Sequence, residues 1–545
     1  MVIVLFAATF LEPIVQSVWE YYQYTRQERS TPWPESTSLI RNAPGIWSEM
    51  RQKAMHQAGL WRQVLAGNSV LMQHMNRWEN DLKDHSLAGS TVRPPAQMLF
   101  CRIGLGNEKA YVGRDRWLFF RPEIDHLTQA PFLSDSQLKK RASSGSEVQA
   151  APQPDPRKAI RDLAAQLKAR GISLVVVPTP CKPQVHPEQF TERLRGLREP
   201  LYNASFAAFV KDLTAADIDV IDLAPEMVRQ RLEGHEQFLR TDTHWRPEVM
   251  QRAAMHIAAY LREHQLIEPT PAGAATYVGA PATVSGEGDI AVMLKLPSDQ
   301  DYYKPQEVPL VRVSAADGTA AVPDASGRVL LLGDSYSNIY SAGAMGWGEN
   351  AGLAEHLMLA LQQPVDRISR NDSGAFATRE LLARELRQGR DRLAGKKVVI
   401  WQFAVRELSQ GDWKIIELPQ AAARPTPASN TAAVAAEETV IEATIAEATA
   451  PRDPNTVYPD YLRSVHLKEV TVRSGTLDAT DVAAYVWSLR RGKEQPGYRL
   501  QTGQRVKLKL KPLAAVKREV EGINRSDLED LDLLDRLNWL AEVQE

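Results

Sequence analysis

Val329-Leu330-Leu331-Leu332-Gly333-Asp334-Ser335-Tyr336-Ser337 is a continuous apolar run that stops abruptly at Gly-Asp-Ser. Four aliphatic side chains in succession, without the alternation of a half-exposed strand, mark a strand covered on both faces. Such strands belong to mainly parallel sheets with helices on either side. In those sheets chemistry collects at the carboxyl ends of the strands. Ser335 stands at such an end.

Working outward, the same pattern recurs. ISLVVVP at 172–178, IDVIDL at 218–223, the stretch 365–369 and VVIWQF at 398–403 read as further strands. Helical periodicity fills the intervals at 157–170, 205–216, 248–263, 352–362 and 378–393, with 270–327 as an insertion. The alternation predicts an α/β fold, a mainly parallel sheet flanked by helices.

Upstream lies Thr241-Asp242-Thr243-His244-Trp245. A serine hydroxyl is a weak nucleophile near neutral pH. It needs a base to take its proton, and the base needs a carboxylate to hold its tautomer. Asp242, His244 and Ser335 supply those three parts, and acyl transfer or ester hydrolysis is the chemistry such a set performs. Asp334 is expected to make a structural hydrogen bond beside the nucleophile, because His244 already has Asp242 close in sequence. Tyr336 and Trp245 flank these residues and are candidates either for packing or for stacking on a sugar. Arg406, just past the last strand, is a candidate either for substrate contact or for an ion pair with an acid such as Glu407.

At 545 residues the chain is too long for one ordinary core. A hydrophobic fraction of 43% and a charged fraction of 24% are those of a globular protein, and a net charge of −2 offers nothing to nucleic acid. Neither a GxxxxGK[ST] loop nor paired CxxC motifs occur, so no cofactor and no metal set is expected. Cys101 and Cys181 could form a disulfide in an oxidising compartment or remain buried thiols.

Residues 1–24 are apolar and end in Trp19, Tyr21, Tyr22 and Tyr24, as at a membrane interface, and read as an uncleaved anchor or signal-like segment. Residues 25–99 read as helical, with Trp47 and Trp61 on a packing stripe. Residues 100–420 hold the α/β domain. Residues 421–456 are rich in Ala, Thr and Pro and read as a linker with a helical piece near Glu437–Ala448. Residues 457–545 read as a small β-rich domain with strands at 465–472, 483–489 and 505–513, closed by an acidic amphipathic helix at 526–543. Arg505, Lys507, Lys509 and Lys511 alternate along one of these strands and read as a solvated face.

Several ordered segments resemble a known family. They are residues 107–120 (NEKAYVGRDRWLFF), Arg170-Gly171-Ile172 through Pro180-Cys181-Lys182 with Pro187-Glu188, Asp242-Thr243-His244-Trp245, Gly286-Glu287-Gly288-Asp289-Ile290, Gly333-Asp334-Ser335, Val398 to Trp401, and Arg406-Glu407-Leu408. Over residues 100–418 the chain is similar to the alginate O-acetyltransferase family, the SGNH-hydrolase-like, AlgX/AlgJ-type proteins of exopolysaccharide acetylation. The order Asp…His…Ser matches the permuted layout of that group, whereas the commoner SGNH hydrolases place the serine first. The resemblance implies an SGNH-hydrolase-like fold with Ser335 as nucleophile, His244 as base and Asp242 as its orienter. The Ser335 N–H is the first candidate for the oxyanion hole, and Asn371, after the 365–369 strand, is another. The resemblance further implies an exopolysaccharide acceptor, a membrane-bound O-acyltransferase as acetyl donor, and a place at the periplasmic face of the inner membrane. A carbohydrate acetyl esterase would use the same triad. A non-catalytic polysaccharide-binding scaffold would not need it.

Overall fold

The apolar runs become a five-stranded sheet. The protein is described here by a computed structural model covering residues 2–26, 32–55, 59–84, 86–145, 151–269, 276–371, 374–420, 438–452, 460–477, 479, 481–513, 515–516, 520, 523–528, 533 and 537–544. A short antiparallel pair, β1 (Ala110–Val112) and β2 (Leu118–Phe120), precedes the sheet. β3 (Ser173–Thr179) and β4 (Asp219–Val220) follow, then a hairpin of β5 (Tyr277–Gly286) and β6 (Gln306–Ala315), then β7 (Val329–Gly333), β8 (Val365–Ser369) and β9 (Val398–Ala404). The sheet runs β4-β3-β9-β7-β8, every pair parallel.

Its two faces are both buried, as the unbroken aliphatic runs require. Val329 and Leu331 of β7 join one core with Val175, Val177, Val398 and Ile400. Leu330 and Leu332 join the other with Leu174, Val176, Val399 and Trp401. Helices Pro247–Glu263 and Leu353–Leu361 cover the first face; helices Pro156–Lys168, Phe206–Thr214 and Ala377–Arg387 cover the second. Each buried Val, Leu or Ile contributes roughly 1.5–3 kcal/mol, so this double layer holds the strand ends in place.

Two expectations differ from the structure. Of IDVIDL only Asp219–Val220 pair as strand. Asp222 instead accepts from the Tyr202 hydroxyl (2.5 Å) and from Ala224 N (3.0 Å), turning the chain into helix Ala224–Leu232. The helix read at 378–393 ends at Arg387. Within the insertion read at 270–327, β5 and β6 pair in register from Tyr277↔Ala315 to Gly286↔Gln306.

The C-terminal residues form β10 (Thr439–Ala448), β11 (Tyr461–Ser474), β12 (Val482–Arg490), β13 (Lys493–Glu494), β14 (Arg505–Pro512), β15 (Asn524–Ser526) and β16 (Leu537–Gln544). β10 pairs with β11, β11 with β12, β12 with β16, β16 with β14, and β14 with β10. The circuit closes, so these strands make a small barrel without open edges among themselves. The helical piece expected at 437–448 is β10: Thr439, Ile441, Ala443 and Ile445 alternate into the barrel core. Of the helix expected at 526–543, residues 537–543 belong to β16 instead, because Leu540 and Ala541 are buried between β12 and β14; residues 529–532 and 534–536 lie outside the described residues. The linker reading for 421–437 and 453–459 lies outside the described residues. The basic strand β14 is a solvated face: Lys509 pairs with Glu438, Lys511 with Glu542 (2.9 Å) and Arg505 with Glu469 (3.5 Å).

A second compact unit comprises Met1–Asn107, Leu138–Pro152 and Leu294–Gln300. Its helices include Val2–Thr25, Ala43–Met55, Leu60–Asp84 and Leu87–Arg102. Among the described residues no helix is long and apolar enough to cross a membrane. Trp47 and Trp61 are 67% and 78% exposed, so they are not a packing stripe. Cys101 and Cys181 are buried thiols and do not join in a disulfide.

Candidate active site

β7 ends at Gly333, where a Cβ would stand 2.1 Å from Ser337 Oγ, so the turn closes only on glycine. Asp334 then caps the short helix Ser335–Asn338 by accepting from Tyr336 N (2.9 Å). Its carboxylate also accepts from Gln402 Nε2 (2.9 Å) and Ala404 N (2.7 Å), and its own N–H donates to Gln402 Oε1 (3.1 Å). Asp334 thus ties the serine turn to the end of β9, the structural part expected of it.

His244 Nε2 lies 2.8 Å from Ser335 Oγ, and His244 Nδ1 lies 2.6 Å from Asp242 Oδ1. Asp242 Oδ1 also accepts from His244 N (2.9 Å), while Oδ2 accepts from Asp289 N (3.0 Å) and Trp347 Nε1 (2.9 Å). The carboxylate on Nδ1 keeps the proton there and leaves Nε2 as the acceptor facing Ser335. Asp242, His244 and Asp289 offer donor atoms within 4.8 Å of one another. Both imidazole nitrogens and both Asp242 oxygens are already engaged in the hydrogen bonds just described.

Trp245 and Tyr336 hold the two segments together and are fully buried. Trp245 Nε1 donates to Tyr336 O (3.0 Å), and the Tyr336 hydroxyl lies 2.9 Å from Thr243 O and 3.0 Å from Glu123 Oε1. Neither ring has a face open to a ligand, so both leave the set of sugar-stacking candidates; their part is packing.

The electrostatics favour a charged Asp242 beside a basic imidazole. Burial alone would raise the Asp242 pKa, but the facing His244 and the hydrogen bonds it accepts pull it down to about 2. Burial would lower that of His244, but the Asp242 charge and hydrogen bond outweigh it and hold it above the ordinary value. Asp289 is pushed up to about 6 by burial and by Asp242. Buried Lys182, lowered by that burial to about 8, donates to Leu118 O (2.8 Å) and Arg240 O (3.2 Å) behind the Asp-His loop.

Gly288 packs against that loop with no room for a side chain. A Cβ there would lie 2.0 Å from Thr241 O. Gly288→Ala is therefore expected to displace Thr241 and Asp289, destabilising the protein by about 1–3 kcal/mol, as overpacking does. Thermal unfolding measures it. An unchanged midpoint together with unchanged reactivity would contradict the packing described.

Ser335 is 4% exposed and opens onto a cleft of about 260 Å³ shared with Asp334, Phe120, Arg370, Asn371 and Arg406. Asn338 Nδ2 donates to Asn371 Oδ1 (2.9 Å), so the serine's own helix orients Asn371. Arg406 lines the cleft and also makes an ion pair with Glu123 (3.2 Å), with the Glu407 charge nearby as well. Sequence reasoning missed Glu123, Trp347 and Gln402, and gave no role to Lys182 within the quoted Pro180-Cys181-Lys182. Asp289 stood within the quoted Gly286–Ile290 segment without a role.

Residues 110–405 match the family model described as SGNH hydrolase-like domain, acetyltransferase AlgX. The chain belongs to this AlgX family. The match embraces Asp242, His244 and Ser335 and the whole of the parallel sheet. Among curated proteins, the probable alginate O-acetylase AlgJ of Pseudomonas aeruginosa is 28% identical over 247 residues, 43% of this chain and 56% of that protein. AlgJ of Pseudomonas putida is 26% identical over 322 residues, 57% of this chain and 74% of that one. This chain thus spans little more than half the length of the P. aeruginosa relative. Among solved structures, the O-acetyltransferase domain of P. putida AlgJ is 22% identical with a TM-score of 0.41, over 55% of this chain and 92% of that one. P. aeruginosa AlgX is 16% identical with a TM-score of 0.40, over 80% and 90%.

Proposed function

We propose that this member of the AlgX family is an O-acetyltransferase that carries an acetyl group on Ser335 and passes it to an exopolysaccharide hydroxyl. The observation that carries the reading is the relay Asp242–His244–Ser335, 2.6 and 2.8 Å, ending at an open cleft. Ser335 Oγ attacks the acetyl carbonyl carbon while His244 Nε2 takes its proton. The donor's leaving oxygen departs with that proton, leaving an acetyl ester on Ser335. A sugar hydroxyl then gives its proton to His244 and attacks the same carbonyl, and His244 returns the proton to Ser335 Oγ. The Ser335 N–H and Asn371 are the groups assigned to the oxyanion, and Arg406 to contact with donor or acceptor.

The donor in this reading is a membrane-bound O-acyltransferase, and the chain works at the periplasmic face of the inner membrane. Support for membrane contact is the aromatic run Trp19, Tyr21, Tyr22 and Tyr24 on helix Val2–Thr25, all exposed. Equal recovery in the membrane fraction with and without residues 1–24 would sink that part.

The activity is tested by time-resolved mass spectrometry of the full chain with p-nitrophenyl acetate, with and without oligosaccharides. Transfer predicts an acetyl adduct on Ser335 that moves to added sugar. An adduct lost only to water makes the protein an esterase. No adduct on Ser335 removes the catalytic reading.

A further inference from the structure

We propose that Asp527, in the C-terminal barrel, is a positioning residue for the reaction at Ser335: through Arg370 it fixes the loop that carries Asn371 beside the nucleophile. The inference rests on the acyl-enzyme reading above.

Arg370 directly follows β8, and its N–H donates to Gly333 O (3.0 Å), at the end of the serine strand. Its side chain is 8% exposed, lies at the cleft wall and reaches into the barrel. Nη1 donates to Asp527 Oδ2 (3.2 Å) and Nη2 to Arg525 O (2.8 Å). Asp527 is itself held by the Tyr485 hydroxyl of β12 (2.5 Å), with Arg384 4.0 Å away. The Arg525 guanidinium lies over the Tyr485 ring, 5.3 Å from its centroid. Burial alone would raise the Asp527 carboxyl, but the cations Arg370, Arg525 and Arg384 keep it below its usual value.

Among the described residues, Asn371 is held from two sides. One is Asn338, on the nucleophile's helix. The other is Arg370, clamped by the barrel. A buried guanidinium that loses its facing carboxylate is held less firmly, because its charge is then compensated less well. Once Arg370 shifts, the adjoining Asn371 shifts with it. The barrel is then a working wall of the cleft as well as an attached domain.

The test is the pre-steady-state rate of Ser335 acetylation by p-nitrophenyl acetate, a donor too small to reach a distant sugar site, in the full chain. Asp527→Asn and Arg370→Met are each expected to slow acetylation, by up to about 100-fold, with KM little changed, as a small misplacement near reacting atoms does. The double variant is expected to be no slower than either single one, since both break one link. Asp527→Glu and Arg370→Lys keep the charges and are expected to recover part of the rate; they also carry the test should the first pair fail to fold. Wild-type acetylation in these variants overturns the proposal. So do losses that multiply in the double variant, or a defect confined to sugar-dependent turnover, which would give the barrel an acceptor-binding role instead. Adduct formation that survives Ser335→Ala would sink the acyl-enzyme reading itself and is read separately.

Discussion

Ser335→Ala is expected to abolish the acetyl adduct and to lower acyl turnover by about 10⁶, the loss seen when a triad serine is removed. Ser335 Oγ is the atom His244 Nε2 faces at 2.8 Å, and it is the atom of the relay that opens onto the cleft. Alanine fits the same backbone, since the turn is set by Gly333 and by the Asp334 cap. Thermal stability is therefore expected to change by less than about 1 kcal/mol, separating lost chemistry from lost folding. Intact-mass spectrometry and p-nitrophenolate release read the result. A folded variant keeping more than about 1% of the wild-type rate would mean that the nucleophile lies elsewhere.

For Asp242→Asn the expected loss of acylation is about 10⁴, that of the analogous change in a serine-protease triad. An amide facing His244 Nδ1 can present its NH₂ instead of an acceptor. The imidazole then carries its proton on Nε2 and cannot take one from Ser335. The wild-type pH profile gives an independent check. Acylation needs neutral His244, so the rate is lost as pH falls through the His244 pKa. Asp242 holds that pKa above the ordinary 6.5, so the ascending limb is expected above that value. In Asp242→Asn the raising charge is gone and the limb moves to lower pH. A wild-type limb below 6.5, or one unmoved by the substitution, would show that Asp242 does not set the basicity of His244.

The strands that carry the serine site were legible because burial on both faces leaves no room for polar residues. VLLLG and VVIWQF could be little else, and their bounds differ from the observed strands by a residue or so. Asp242, His244 and Ser335 were legible because each motif is short and local, and the structure brings all three together. What failed was tertiary. ETVIEATIAEATA has the Ala and Glu of a helix, but six of its thirteen residues are Thr, Val or Ile, and pairing with β11 and β14 favours the strand. LDLLDRLNWLAEVQ repeats leucines at helical spacing, yet its last eight residues complete the barrel between β12 and β14. Trp347 gave no signal at all: nothing in its neighbours announces an indole N–H on Asp242. Glu123 is the same kind of case, a carboxylate whose partners Tyr336 and Arg406 are more than two hundred positions away.

The sheet order β4-β3-β9-β7-β8 has a consequence for synthesis. β9, made last of the five, lies in the middle. Until Ala404 has left the ribosome, β3 with β4 and β7 with β8 are two separate fragments, each presenting an unpaired apolar edge toward the missing strand. The brace on Asp334 is missing as well, because Gln402 and Ala404 supply it. A nascent chain therefore holds aspartate, histidine and serine long before it can align them. It passes through an interval in which its stickiest surfaces are uncovered and a chaperone has most to shield.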